Sequence, residues 1–419
     1  MTGLLVIVGS GETTPTMIKP HRSIFERVGS QPAILLDTPY GFQSNADDIS
    51  ERAMGYFSAS IGRKVSVVSW RTPPPPGLAR ERALAAIADA GWVFSGPGSP
   101  TYALRQWRET PVPAALAEVL ARDGVVLLAS AAAVTLGSHT VPVYEIYKAG
   151  FEPYWEPGLD LVSQVCGLPA VVIPHYDNAE GGHHDTRYCY LGETRLAVME
   201  RELPADSFVL GVDEHTAVLL DPGDRTAAVI GNGGMTIRRR GESTVYPTGS
   251  TVTFDEILAG VSPGSATRST RATAAPPAPS ARRDAERVAT SLRDAADEQT
   301  ARFEAALARR DVDGCVEAIL ALERARQEWA ADTNESDDAE HAAAALRAMV
   351  VRLGELATVG ARDPREAVAP LVEALLSVRS RARVSSDFAT SDEIRGRLIA
   401  AGIEVRDTPD GVEWHLPGS

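Results

Sequence analysis

The chain has 419 residues, 44% of them apolar, and a formal net charge of −15 at pH 7. That length predicts two or three domains. The charge argues against nonspecific binding to nucleic acid or anionic lipid, which needs clustered lysine and arginine. No apolar run reaches the ~20 residues of a membrane-spanning helix, so no membrane partner is expected. The opening stretch "MTGLLVIVGSGE" has no basic leader region and reads as a first strand, not a signal peptide. Three widely separated cysteines, Cys166, Cys189 and Cys315, fit a reducing cytoplasm and show no metal-ligand spacing.

Short apolar runs come first in the chain: "LLVIVG", "PAILLD", "KVSVVSW", "WVFSG", "VVLLAS" and "AVVIPHY". Between them lie segments of helical spacing such as "LARERALAAIADA" and "PAALAEVLARDG". Continuous short apolar runs are the pattern of buried parallel strands, and the alternation predicts a doubly wound α/β fold with a mostly parallel sheet. After residue 205 the runs "FVLGVDE", "TAVLLD", "TAAVIG" and "MTIRRR" are parted by turn residues, which predicts an antiparallel extension of that sheet. The expected α/β domain covers residues 1–262. Residues 263–284 are rich in Pro, Ala, Ser and Thr, cannot build a core, and are expected to be a flexible linker. A mainly helical region follows, as a helical domain over 285–362 and a small unit over 363–419 that closes in a hairpin at "DTPDG".

Chemistry in open α/β sheets gathers at the carboxyl ends of strands. Four such ends carry useful groups: "GSGE" at Gly9–Glu12, "SGPGSP" at Ser95–Pro100, Ser130 after "VVLLA", and His175 in "PHYD". "GVDEHTA" adds Asp213 and Glu214. A serine hydroxyl needs a base to become a nucleophile, and the base needs a carboxylate to orient it. Ser130, His175 and one of Asp213 or Glu214 form such a set, although Ser130 reads equally as a simple helix cap. Backbone N–H groups of Ala131 and of Gly98, in a loop where Pro97 has none, are candidates for an oxyanion site. His183, His184 and Asp185 with His175 and Asp177 match no strong ligand motif. They are read as a polar rim, with Asp177 facing substrate. Neither a metal nor a cofactor is expected.

In this order "GSGE", "SGPGSP", "ASAAA", "PHYDNAEGG" and "GVDEHTA" resemble the cyanophycinase and aspartyl dipeptidase family of serine peptidases, with its class I glutamine amidotransferase-like fold. The resemblance covers roughly residues 1–255. It implies Ser130 as nucleophile, His175 as base, Glu214 as orienting acid, and Gly98 and Ala131 as oxyanion donors. It further implies a small, acidic peptide or amide substrate, for which Arg105 and Arg187 offer guanidinium groups, and a homodimer. The elbow departs from the family: Leu128 and Ala132 stand where it keeps glycine.

"SSDFATSDEIRGRLIAAGIEVRDTPDGVEWHL", Ser385 to Leu416, is similar to the end of cysteinyl-tRNA synthetases. The likeness rests on Asp387-Phe388, Asp392, Ile394-Arg395, Leu398, Gly402-Ile403, Asp407-Thr408, Gly411 and Trp414. Upstream, "RFEAALARRDVDGCVEAILAL" resembles the DALR-type anticodon-binding helices of the same enzymes. The chain lacks the HIGH and KMSKS signatures, so it carries the tail without the synthetase body. That resemblance implies tRNA, or a protein of translation, as a partner. Arg379, Arg381, Arg383, Arg395 and Arg397 are the candidate RNA-facing groups. Phe388, Ile394 and Leu398 are expected to form one apolar helix face under Trp414. Two readings follow: a cytoplasmic serine hydrolase, or a noncatalytic tRNA- or protein-binding factor that uses the α/β domain as a scaffold.

Overall fold

In the computed structural model each of the six early apolar runs is a strand, and almost every side chain in them is buried. They are β1 (Leu4–Val8), β2 (Ala33–Leu36), β3 (Ser66–Val68), β4 (Trp92–Ser95), β5 (Val125–Ala129) and β8 (Ala170–Ile173). A short pair, β6 (His139–Thr140) and β7 (Glu156–Pro157), precedes β8. Then come β9 (Phe208–Val212), β10 (Thr216–Asp221), β11 (Thr226–Gly231), β12 (Gly234–Arg239), β13 (Glu242–Pro247) and β14 (Thr251–Thr253). The structure describes residues 3–180, 184–260, 289–332, 337–360, 364–408 and 411–416. The linker expected over 263–284 lies outside them, as do His183 and the turn residues Pro409 and Asp410.

The main sheet has eight strands in the order β14-β11-β10-β1-β5-β4-β2-β3. Strands β1 to β5 pair in parallel, and β10, β11 and β14 extend the sheet beyond β1, each antiparallel to the strand before it. The fold class is thus the mixed α/β one that the alternation of runs predicts. One part differs from that prediction. β8, β9, β12 and β13 form a separate four-stranded sheet, so "AVVIPHY" and half of the meander leave the main sheet. Apolar periodicity states that a strand is buried, not which strand it pairs with. The chain passes from β9 in one sheet to β10 in the other across Asp213–His215, and this crossing carries Glu214 between the sheets.

Register brings the strand ends together. Val8 pairs with Ala129 and Ser95 with Leu128, so "GSGE", "SGPGSP" and Ser130 leave the sheet side by side. Leu128 and Ala132 are fully buried in one core cluster with Leu5, Ile7 and Val126. Burying a side chain of leucine size contributes about 1.5–3 kcal/mol. At 128 the leucine therefore fills core volume next to the elbow.

Two compact units divide the chain: Met1–Asp297 with Leu322–Ala342, and Glu298–Ala321 with Ala343–Ser419. Helices Leu292–Ala308, Val312–Glu328, Asp338–Gly360, Pro364–Val384 and Phe388–Ala400 make the tail mainly helical. It closes in the hairpin of β15 (Glu404–Thr408) and β16 (Gly411–His415), where Val405 pairs with Trp414. Trp414, Val372, Leu398, Ile403 and Val405 form its small core, with Ile394 packed against it. Phe388 is not in that core. It is 61% exposed, at the first position of its helix directly after the Asp387 cap.

Candidate active site

Ser130 follows β5 with φ of +48°, a left-handed backbone that a side chain other than glycine adopts at a cost of about 1–3 kcal/mol. The strain is held by the neighbours: Ala132 N–H donates to the Gly96 carbonyl at 3.2 Å, and Ala131 to Val134 are buried. His175 enters from the second sheet, two residues after β8, and is also in a left-handed conformation at φ of +47°. Ser130 Oγ lies 3.0 Å from His175 Nε2, and His175 Nδ1 lies 2.7 Å from Glu214 Oε1. The same Glu214 oxygen accepts from Asn178 Nδ2 at 3.2 Å, and the Glu214 N–H donates to Asp177 Oδ1 at 2.8 Å. Asp213, the other candidate carboxylate, instead accepts from the Gly234 N–H at 2.8 Å.

The electrostatics match this row of bonds. Burial works against a charged His175 ring, but the Glu214 hydrogen bond and charge, helped by Glu12, outweigh it and hold the ring above the ordinary histidine value. Burial likewise opposes charge on Glu214, yet its bonds to His175 and Asn178 keep it below the usual carboxylate range. Glu12 is 1% exposed, and burial pushes its carboxyl up to about 7. Its Oε1 is among the buried side-chain atoms without a hydrogen-bond partner.

Gly98 has φ of +134°, and a Cβ there would stand 2.2 Å from the Pro39 carbonyl oxygen, so only glycine fits. Gly98 and Ala131 border a cavity of about 510 Å³ together with Ser130 and His175. Its other walls include Tyr40, Tyr144, Arg52, Lys148, Glu180 and Asp332. Arg105 and Arg187 are exposed and do not line it: the Arg105 guanidinium donates to the Thr101 carbonyl, and Arg187 pairs with Asp185 at 2.8 Å. Asp177 borders a neighbouring cavity of about 590 Å³ instead. Among the described residues no group of three or more His, Cys, Asp or Glu side chains could hold a metal. No helix among them is long and apolar enough to cross a membrane.

Sequence reasoning named neither Asn178 nor Asp332 as site residues. Asn178 stands three residues after His175, a spacing that marks it as a neighbour of the base. Asp332 has no local signal at all.

In the tail, Arg379 is 1% exposed and holds Asp407 with two bonds at 2.7 and 2.8 Å, and Arg383 adds a third at 2.9 Å. Arg379 therefore braces the hairpin against its helix and does not face solvent. Arg381 and Arg395 are exposed.

Residues 365–414 match the cysteinyl-tRNA ligase anticodon binding domain. The cysteine–tRNA ligase of Bacteroides thetaiotaomicron is 52% identical over 58 residues, 14% of this chain and 12% of that protein. The enzyme of Parabacteroides distasonis is 51% identical over 51 residues, 12% of this chain and 10% of its own length. The chain thus spans only about a tenth of the curated relatives it matches. Among solved structures, a peptidase from an acI-B1 actinobacterium is 20% identical with a TM-score of 0.49, covering 61% of this chain and 98% of its own. A putative peptidase E protein from Listeria monocytogenes is 10% identical with a TM-score of 0.39, covering 55% and 99%.

Proposed function

We propose that the α/β unit is a serine hydrolase of peptidase type that cleaves a small peptide or amide. The observation that carries this reading is the row Ser130 Oγ, His175 Nε2 and Nδ1, Glu214 Oε1, at 3.0 and 2.7 Å, opening on a cavity of about 510 Å³. In the proposed reaction Ser130 Oγ attacks the substrate carbonyl carbon while His175 Nε2 takes the hydroxyl proton. The oxyanion faces the backbone N–H groups of Gly98 and Ala131. As the intermediate collapses, the C–N bond breaks and His175 gives its proton to the leaving amine. Water then repeats the sequence and releases the acid. Arg52 and Lys148, rather than Arg105 or Arg187, place positive charge on the cavity wall for an acidic substrate group.

Intact-mass analysis after treatment with a fluorophosphonate tests this. One adduct on the wild type, absent from Ser130→Ala, is the expected result. No adduct on folded wild type overturns the assignment.

The tail supports a second activity beside the first. Its match to an anticodon binding domain and the exposure of Arg381, Arg395 and Phe388 favour binding of tRNA by guanidinium contacts and base stacking. Titration of the full chain with tRNA at several salt concentrations checks it. Each of Arg381→Ala and Arg395→Ala is expected to lower the slope of log K against log salt by about 1. Absence of salt-sensitive binding leaves the tail as a protein-docking module.

A further inference from the structure

His215 follows Glu214 in the crossing between β9 and β10, and it is held by groups from two distant parts of the chain. Its backbone is left-handed, at φ of +52°. Its N–H donates to the Ser10 carbonyl at 3.1 Å, and its carbonyl accepts from the Asn232 N–H at 3.0 Å. The ring nitrogen Nδ1 lies 3.0 Å from Thr16 Oγ1 and 3.3 Å from Thr14 Oγ1, and a Cβ on Gly11 would stand 2.2 Å from it. The second holder is Trp329, which is 5% exposed and sets its ring edge-on to the imidazole, with centroids 5.9 Å apart. Trp329 stands directly after helix Val312–Glu328, and the stretch it opens is tied to the α/β unit. Thr13 Oγ1 donates to the Ala331 carbonyl at 2.6 Å. Ala331 packs against the core cluster that contains Val8 and Ala129, the last residues of β1 and β5. Further on, Arg293 pairs with Asp337 at 2.5 Å and with Asp338 at 3.2 Å.

We propose that Trp329 is a positioning residue of the hydrolase: through His215 it fixes the crossing that holds Glu214 against His175. This rests on the hydrolase reading of Ser130. Glu214 Oε1 sits 2.7 Å from His175 Nδ1, and the peptide that follows Glu214 is in a strained conformation that its neighbours must maintain. Asn178 braces the carboxylate itself, whereas Trp329 braces the backbone beside it. Glu214, His215 and Trp329 also border one cavity, of about 590 Å³, so the indole is part of the wall between the crossing and that space. Burial holds the His215 ring below the ordinary histidine value, against the pull of Glu214. A neutral His215 leaves the Glu214 charge to His175. The compact unit that carries the catalytic row takes in Leu322–Ala342, so a segment beyond residue 262 completes it.

The rate at which an alkyl fluorophosphonate modifies the full chain, followed by intact mass, tests the inference. In that step Ser130 Oγ bonds to phosphorus, the P–F bond breaks, fluoride leaves and His175 takes the proton. Trp329→Ala is expected to lower the rate about 10–100-fold. Trp329→Phe, which keeps a ring edge at that place, restores most of it. The deciding readout is a cycle with Glu214→Gln. A residue that acts through the carboxylate loses its effect once the carboxylate is gone, so in the Glu214→Gln background Trp329→Ala should cost less than about twofold. Thr13→Val frees the same stretch without touching Trp329 and should lower the rate about threefold, again only with Glu214 present. An unchanged rate in Trp329→Ala, or an equal loss in both backgrounds, overturns the inference and leaves Ser130 as nucleophile. Where Trp329→Ala does not fold, the same two outcomes for Thr13→Val decide. Failure of the probe on folded wild type overturns the hydrolase reading itself, and this inference with it.

Discussion

Glu214 Oε1 lies 2.7 Å from His175 Nδ1 and is fixed there by Asn178, whose Nδ2 donates to the same oxygen at 3.2 Å. The imidazole ring is thereby oriented with Nε2 toward Ser130, and a positive charge on it has a partner. Glu214→Gln removes the charge and presents the ring with an amide. The rate of Ser130 modification by a fluorophosphonate is expected to fall about 10³–10⁴-fold. Asn178→Ala should cost about tenfold, because the carboxylate loses only its brace. An Asn178→Ala effect as large as that of Glu214→Gln would show that the carboxylate is not the orienting group.

In the proposed reaction His175 can take the Ser130 proton only when neutral, and its neighbours hold it above the ordinary value of 6.5. The Ser130 modification rate should therefore rise with pH through a half-point above 6.5. Glu12→Gln removes one negative neighbour that favours the charged ring. Its half-point is expected at lower pH than that of the wild type. A pH–rate profile of both proteins checks this, and an unchanged half-point would remove Glu12 from the account.

Glu12 also makes stability depend on pH. Burial raises its carboxyl from 4.5 to about 7, so in that interval the folded chain holds a proton that the unfolded chain has released. The stability this group contributes is present below the unfolded value and lost as pH rises through about 7. Glu12→Gln is neutral throughout. Thermal melts should show the variant gaining on the wild type as pH is raised through that interval, and a constant difference would contradict the assignment.

Gly98→Ala would place a methyl group 2.2 Å from the Pro39 carbonyl oxygen in a backbone with φ of +134°. The loop must move, and the Gly98 N–H moves with it. In the proposed reaction this removes one oxyanion donor, at a cost of about 10²–10³ in rate, and the strain costs about 1–3 kcal/mol in stability. The modification rate and a denaturant melt measure the two effects separately.

Arg379→Ala would take both guanidinium bonds from Asp407 and leave a hole between helix Pro364–Val384 and the hairpin. Asp407 is partly in water, so the loss stays at about 1–3 kcal/mol. Hydrogen exchange on β15 and β16 should quicken accordingly. Arg381→Ala, at an exposed position of the same helix, should leave that exchange unchanged.

By itself the sequence determines which segments of this protein become strands, because β1, β2, β4, β5 and β8 are continuous apolar runs that only burial accommodates. It also marks Ser130, His175 and Glu214 as candidates, since each stands just past the end of such a run. These are local properties, legible within a few residues. Only the tertiary structure decides that β8 and β9 leave the main sheet, because pairing depends on distant partners and not on periodicity. The same holds for charge. Arg379 and Arg395 look alike in the chain, yet Asp407 from the hairpin buries one and the other remains exposed. Asp332 reaches the cavity because Trp329 packs on His215 and Thr13 holds Ala331. Contacts between residues so far apart come from packing complementarity, which no short stretch of sequence encodes.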